Sequence, residues 1–482
     1  MKTIVKQIES PPNLMSIAKQ LCNESGFIFL LSGQNSHPHS RYSLICRKPF
    51  LEFSSVGSVC KISTHNQEFL SFGNPFKILE YLLQRYELPN EIDLPFPLGG
   101  AFGYWDYDLK NYVEQRLTTR AKIDSGCPDC KIGFYDNIVV YDHYLNRAFI
   151  ISTGLNPECI PYQSDAVAKI NEWLNIFEDA GSIKECDVEF PETSLSKIEP
   201  IFTSTMERNE FIFAVEKAKK YIHTGDIYQV NLSHRIETDS KDINPFQLFI
   251  NLYNNSPAPF SAFMNFGDFQ VVSSSPELFL KMIERHIITR PIKGTRPTSK
   301  DPQIDIQMLY ELKTSPKETA ELVMITDLLR NDLGKVCEYG SVQVSELLKA
   351  ETHPHIYHLI STIEGELRSD ISHIQALASC FPGGSITGAP KIRAMEIIDE
   401  LEPTARGIYT GTHGYIGFNS ISQLSITIRT AVVSNGKICF QTGAGIVADS
   451  NPESEFDETL SKAKGFFLAM KSHNIKRTPQ KL

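Results

Sequence analysis

The feature that most limits how this chain can fold is the length of its apolar runs. Over residues 1–155 these runs are short and bounded by turn-forming residues: Phe27–Leu31, Tyr42–Cys46, Ile138–Tyr141 and Phe149–Ser152. A run of that length fills one β-strand, and its β-branched and aromatic content suits a pleated surface. It falls far short of the roughly eighteen apolar residues of a membrane helix, and no longer run occurs elsewhere. Met1-Lys2-Thr3-Ile4-Val5-Lys6 lacks the apolar core of a signal peptide. The expectation is a cytoplasmic protein with no membrane partner.

The second half of the chain is patterned differently. Asn209–His223 sets Phe211, Val215, Ala218 and Ile222 on one helical face and meets Gly225, a C-terminal cap. A strand is expected over Ile227–Ile236. Ser315-Pro316-Lys317-Glu318 then supplies an N-cap, a proline at the first helical position and a capping-box glutamate, predicting a helix to about Leu333 that stops at Gly334. Residues 156–200, rich in Pro, Glu, Ser and Asp around an amphipathic helix near Trp173, read as a connection between regions 1–155 and 201–475. Strands at hairpin-like spacing dominate, so the class is α+β with largely antiparallel sheets.

A formal net charge of −10 and a pI near 5.8 exclude a nucleic-acid partner, since no basic stripe is present to neutralise phosphates. The ten cysteines form no repeating framework, which suits reduced thiols. Cys127 and Cys130 make a CxxC, but no second pair stands at zinc-finger spacing. Gly126, Pro128 and Asp129 read as loop rather than the helix start a redox motif needs.

The chemistry concentrates in a few segments. In Arg290-Pro291-Ile292-Lys293-Gly294-Thr295-Arg296-Pro297, Lys293 lies sixteen residues beyond Glu277 of Ser275-Pro276-Glu277, pairing an amine with an acid near turns. A solvated hairpin lysine is the competing reading. Glu318 and Glu321 share one helix face, and Glu455 and Glu458 repeat the spacing in a helix opened by Asn451-Pro452, with Lys462 one turn on. Four carboxylates at one cleft would need a divalent cation, and all-oxygen ligation favours Mg²⁺ over Zn²⁺. Capping and helix-dipole roles compete for these glutamates. Arg429, in an expected strand Ser425–Thr430, offers a fork for a carboxylate, and Gly443-Ala444-Gly445 offers free N–H groups at an expected turn. Gly383–Lys391 imitates a phosphate loop, but Ala389 stands where Walker A needs lysine. It leads into an expected helix Pro390–Glu402 whose N–H groups can face the cleft. Around Pro354, His353, His355 and His358 are too unevenly spaced for an ordered imidazole site.

These segments, with Gly225–Ser233, Lys317–Glu321, Asp327–Asp332, Phe381–Lys391, Ile428–Thr430 and Gly443–Val447, resemble the chorismate-utilising enzymes in content and order over residues 201 to about 470. Pro97–Tyr104 resembles that family's amino-terminal glycine motif. The resemblance implies two facing sheets with helices outside and the active site in the cleft between them. It also implies Mg²⁺ held by Glu318, Glu321, Glu455 and Glu458, some through water, and bound to the ring carboxylate of chorismate. It assigns catalysis to Lys293, Glu277 as general acid, and His358 near the leaving group or ring. Substrate binding falls to Gln229, Thr295, Ser385, Tyr409, Arg429, Gly443, Gly445 and Lys462.

Two positions select a branch. Water-using isochorismate and salicylate synthases have a lysine base where Gln229 stands, and an amide does not titrate usefully. Pro-Ile-Lys-Gly-Thr resembles the aminodeoxychorismate synthase branch, whereas anthranilate synthases have alanine at Lys293. That branch implies ammonia from a separate glutamine amidotransferase subunit in a heterodimer, with 4-amino-4-deoxychorismate made for 4-aminobenzoate and folate. The alternatives are anthranilate synthase component I and a non-catalytic tryptophan-binding relative. Ser32, His39, Ser40, Arg41, Tyr42, Pro259, Phe260 and Ser261 match the family's tryptophan pocket, with Leu31 where anthranilate synthase has glutamate. Gln423 replaces a usual aspartate, and no physical reason for it is visible in the sequence.

Overall fold

The computed structural model of the protein describes residues 3–32, 40–88, 92–117, 120–123, 126–182, 201–240, 243–352 and 356–471. Among them, two twelve-stranded antiparallel sheets face one another, and each draws strands from both halves of the chain. The first runs from Ile4–Glu9 through Arg147–Ser152, Asn137–Asp142, Tyr42–Cys46 and Phe27–Leu31. It continues into Phe260–Asn265, Phe269–Ser275, Thr430–Ser434, Lys437–Ile446 and Gln229–Asp239. The second begins at Ile292–Pro297 and passes Ile356–Glu366, His286–Arg290, Leu278–Ile283, Ile421–Ile426 and Thr412–Gly417. It ends in Gly100–Trp105, Cys130–Tyr135, Leu51–Val56, Val59–Thr64 and Glu68–Phe72.

The seams show why the early runs are so apolar. In Phe27–Leu31 the alternation serves two cores: Phe27, Phe29 and Leu31 pack outward with Trp173 and Phe249, while Ile28 packs inward with Phe102 and Tyr104 of the other sheet. Phe29 stands opposite Phe263 in the partner strand. Each such fully buried side chain contributes about 1.5–3 kcal/mol. At the other seam Gly103 faces Gly414. A Cβ on Gly100 would lie 2.6 Å from the Ile416 carbonyl oxygen across this seam, so the glycine motif is what lets these strands meet.

The expected helices form close to their predicted limits. Arg208–His223 buries Phe211, Ala214, Val215 and Ala218, and ends before Gly225 at φ +82°. The strand that follows starts at Gln229, two residues later than expected. Pro316–Gly334 opens with the Ser315 hydroxyl accepting from the Glu318 N–H at 3.4 Å. Only this half of the capping box is made, because the Glu318 carboxylate turns toward Arg296 instead, 3.5 Å away. The helix Gln163–Ser182 is pinned to the first sheet by Trp173, whose Nε1 donates to Asn137 Oδ1 at 2.7 Å. Among the described residues no helix is long and apolar enough to cross a membrane.

Candidate active site

A cleft of about 510 Å³ opens between the carboxyl-terminal parts of the two sheets. Its floor is made where the chain changes sheets. Pro276-Glu277 links Phe269–Ser275 of the first sheet to Leu278–Ile283 of the second, and Thr427–Arg429 links Ile421–Ile426 back to Thr430–Ser434. The two crossings run side by side: the Ile426 N–H donates to the Glu277 carbonyl at 3.1 Å, and the Ser274 N–H to the Arg429 carbonyl at 3.0 Å. Arg429 is therefore not in a strand, as expected, but at a corner with φ +49°. That strained backbone turns the guanidinium into the cleft.

Glu277 is 6 % exposed, and burial pushes its carboxyl up to about 7 despite the Ser385 hydroxyl, the Lys293 charge and the Ile292 N–H, which favour ionisation. Lys293 comes from Ile292–Pro297, opposite Leu359, just before a bulge. Its side chain is 14 % exposed, and Nζ lies 3.9 Å from Glu321 Oε2. It is a cleft lysine, not a solvated hairpin one. Gly294, at φ +70°, allows the close approach of the glutamate helix, since a Cβ there would stand 3.0 Å from Glu318 Oε2. Thr295 holds His358: their Oγ1 and Nδ1 atoms are 3.1 Å apart, and both residues line the cleft.

The glutamate pairs approach from two helices, Pro316–Gly334 and Pro452–Lys471. Glu318, Glu321 and Glu458 line the cleft, and Glu455 lies behind them, 3 % exposed, with Oε2 buried and unpartnered. Lys317 Nζ stands 3.6 Å from Glu455 and 4.0 Å from Glu321. Burial raises Glu321; Glu458, opposed by burial but drawn by Lys462 at 2.7 Å, falls below its ordinary value. Among the described residues no three acidic, histidine or cysteine side chains converge tightly enough to enclose an ion. An all-oxygen set with an orphaned carboxylate oxygen suits a hard cation that keeps much of its water, the habit of Mg²⁺.

Gly443 and Gly445 are not at a turn. They lie within Lys437–Ile446, opposite Ser233 and Asn231. Their value is the missing side chain: a Cβ on Gly445 would lie 2.5 Å from Gln229 Nε2 and 3.7 Å from Lys293 Nζ. Gln229 is 1 % exposed and its Oε1 is unpartnered. Lys462 Nζ donates to the Gly443 carbonyl at 3.0 Å. The Arg429 guanidinium has no carboxylate partner among the described residues; it donates to Ser256 Oγ at 3.4 Å, and burial lowers its pKa. Tyr409 and Ser385 complete the wall. The residues of the helix Lys391–Leu401 are not among those lining the cleft, and Lys391 at its start anchors the preceding loop to Asp332 at 2.5 Å and to the Cys380 and Pro382 carbonyls.

The amino-terminal pocket is gathered in part. Ser32, Tyr42, Pro259, Phe260 and Ser261 surround a cavity of about 20 Å³ together with His413 and Gln423, which gives Gln423 a location. That is room for about one water. Ser40 is buried beside this region in sequence, and Arg41 is committed to Asp142 at 2.6 Å. His39, His353 and His355 lie outside the described residues. Cys127 and Cys130 carry thiols raised by burial, the opposite of a reactive pair.

Sequence reasoning missed Lys317, Asn231 and the pair Glu402–Arg406, whose i, i+4 spacing was the available signal.

The chain belongs to the chorismate binding enzyme family, matched over residues 29–467. It is similar to anthranilate synthase component 1 of Synechocystis sp. (36 % identity, 97 % of this chain and 95 % of the relative). Aminodeoxychorismate synthase component 1 of Salmonella typhimurium is as similar (37 %, 90 % and 91 %). In structure it resembles anthranilate synthase component I of Streptococcus pneumoniae, with TM-score 0.77, 29 % identity, and coverage of 90 % of this chain and 93 % of that one.

Proposed function

We propose that the chain is an aminodeoxychorismate synthase component I, converting chorismate and ammonia to 4-amino-4-deoxychorismate. The carrying observation is Lys293: an amine inside the cleft, 3.9 Å from Glu321 and near enough to Glu277 for its charge to favour that carboxylate. Glu277, protonated up to about pH 7, gives its proton to the departing C4 hydroxyl, which leaves as water. The Lys293 amine bonds to C2 as that hydroxyl leaves, its surplus proton passing to water, and a covalent adduct forms. Ammonia then bonds to C4, and the C2–N bond breaks to return the lysine.

Arg429 and Tyr409 hold one carboxylate of chorismate. Glu318, Glu321, Glu455 and Glu458 would hold Mg²⁺, which when bound supplies the positive charge that fixes the other. Gln229 cannot deprotonate water, which supports amination over hydration. Ammonia comes from a separate glutamine amidotransferase subunit, as the component 1 names of the relatives suggest.

Product analysis with chorismate, Mg²⁺ and ammonium tests this reading. The expected product is 4-amino-4-deoxychorismate without a partner at high ammonium, and glutamine use only with a partner. Anthranilate with pyruvate would move the chain to the other branch, and no turnover would favour a regulatory relative.

A further inference from the structure

Behind the cleft wall, Arg406 is buried to 3 % exposure and spends every N–H of its guanidinium on the protein. Nε and one Nη2 hydrogen go to the Glu402 carboxylate at 2.9 and 2.7 Å. The other Nη2 hydrogen goes to the Asn231 carbonyl at 2.7 Å. The two on Nη1 go to the Ile386 carbonyl at 3.0 Å and Thr410 Oγ1 at 3.2 Å. Its Cζ also lies 4.8 Å and 5.8 Å from the ring centres of Tyr107 and Tyr409. Glu402 in turn accepts from the Ser233 N–H and hydroxyl at 2.8 and 2.9 Å.

Three of these contacts are to separate pieces of the cleft wall. Asn231 belongs to Gln229–Asp239, Ile386 to the turn that carries Ser385, and Thr410 follows Tyr409. We infer that Arg406, clamped by Glu402, is a positioning residue that sets the Ser385 turn, Asn231 and Tyr409 in register around the substrate. With no donor left over, it cannot itself bind a carboxylate, in contrast to Arg429. Lysine cannot replace it, because a point ammonium has three donors and no planar fork. This inference rests on the proposed chorismate chemistry.

The test compares wild type with Arg406→Lys and the near-isosteric Thr410→Val, each checked for folding by thermal melting and near-ultraviolet circular dichroism. Misplacement of a wall by about 1 Å can cost about 100-fold. Folded Arg406→Lys should lose kcat/KM for chorismate by about that factor, mostly through KM, and Thr410→Val should lose less in the same direction. Because the Ser385 contact lowers the Glu277 pKa, a displaced turn should also move the alkaline limb of the pH–rate profile upward. A purely structural role would leave the KM and the limb of a folded variant unchanged, and that result overturns the inference. If Arg406→Lys does not fold, Thr410→Val decides by the same KM and pH criteria. Titration of wild type with chorismate and Mg²⁺ separates the two levels: no binding there defeats the functional reading, whereas binding with unaltered variants defeats only the positioning role.

Discussion

At the amino-terminal end of the sandwich, Ile28, Phe102, Tyr104, Tyr135 and Val140 close the gap between the sheets, and the cavity nearby is about 20 Å³. At the carboxyl-terminal end the same gap is faced by Glu277, Lys293, Thr295, His358 and Arg429 and opens to about 510 Å³. The strands are antiparallel throughout both sheets, so backbone geometry does not distinguish the ends. What differs is which residues the crossings between the sheets carry. The crossings at Pro276-Glu277 and Thr427–Arg429 bring an acid and a guanidinium into one space, whereas those of the amino-terminal half, at residues 47–50 and at Asp136, give no residue to the cleft. One end holds the sheets together, and that rigidity lets the other keep desolvated charges in place.

The two ends should fail differently. Glu277→Gln removes the proton donor at nearly constant shape and should lower kcat by about 10²–10⁴-fold, the usual weight of a general acid, in steady-state assays. Its effect on stability runs the other way. The folded carboxyl is raised to about 7, so its protonated form is favoured by folding, and that stability is present below the unfolded value of 4.5 and lost as pH rises through about 7. The amide avoids this loss, so denaturant midpoints at pH 8 should favour Glu277→Gln by about 1–3 kcal/mol, with no gain at pH 4. The rate of the wild type should fall above about pH 7 for the same reason.

Phe102→Ala strikes the other end. It deletes a fully buried ring and should cost about 3–5 kcal/mol in chemical denaturation, while KM for chorismate stays at the wild-type value in the folded fraction. A large change in KM would mean that the two ends are not separable. Glu458→Gln should weaken Mg²⁺ binding in the presence of chorismate by about tenfold or more, read by calorimetry as well as by rate. Unchanged affinity would take the Pro452–Lys471 helix out of the metal site. The smallest effect is expected from tryptophan. Among the described residues the amino-terminal pocket is about 20 Å³, less than an indole fills, so millimolar tryptophan should neither inhibit nor raise the melting temperature measurably.

Much of this division was legible before any coordinates. Period-two runs such as Phe27–Leu31 specify strands because alternate residues serve different cores, and the caps at Ser315 and Gly225 act locally. Those signals depend only on near neighbours. The errors came where position depends on long-range pairing. Gly443 and Gly445 carry turn composition but lie in a strand, because what they accommodate is the facing strand, Asn231 and Leu232 for Gly443 and Gln229 for Gly445, more than two hundred residues away in sequence. Ser425–Thr430 alternates as a strand does, yet the chain leaves one sheet for the other at Arg429. Glu402 and Arg406 were unremarkable as helix-spaced charges until their burial was known.

The account turns on whether Lys293 is the nucleophile. Wild-type enzyme mixed with chorismate and Mg²⁺ in limiting ammonia, quenched and examined by intact-mass and peptide mass spectrometry, tests this most directly. A chorismate-derived mass increase on the peptide containing Lys293, absent from Lys293→Ala, is the predicted result. The alanine variant should also make far less 4-amino product, and ammonia entering the vacated space should divert turnover toward 2-amino-2-deoxyisochorismate or anthranilate. No adduct on wild type, together with the 4-amino product from Lys293→Ala at the full wild-type rate, would contradict the account.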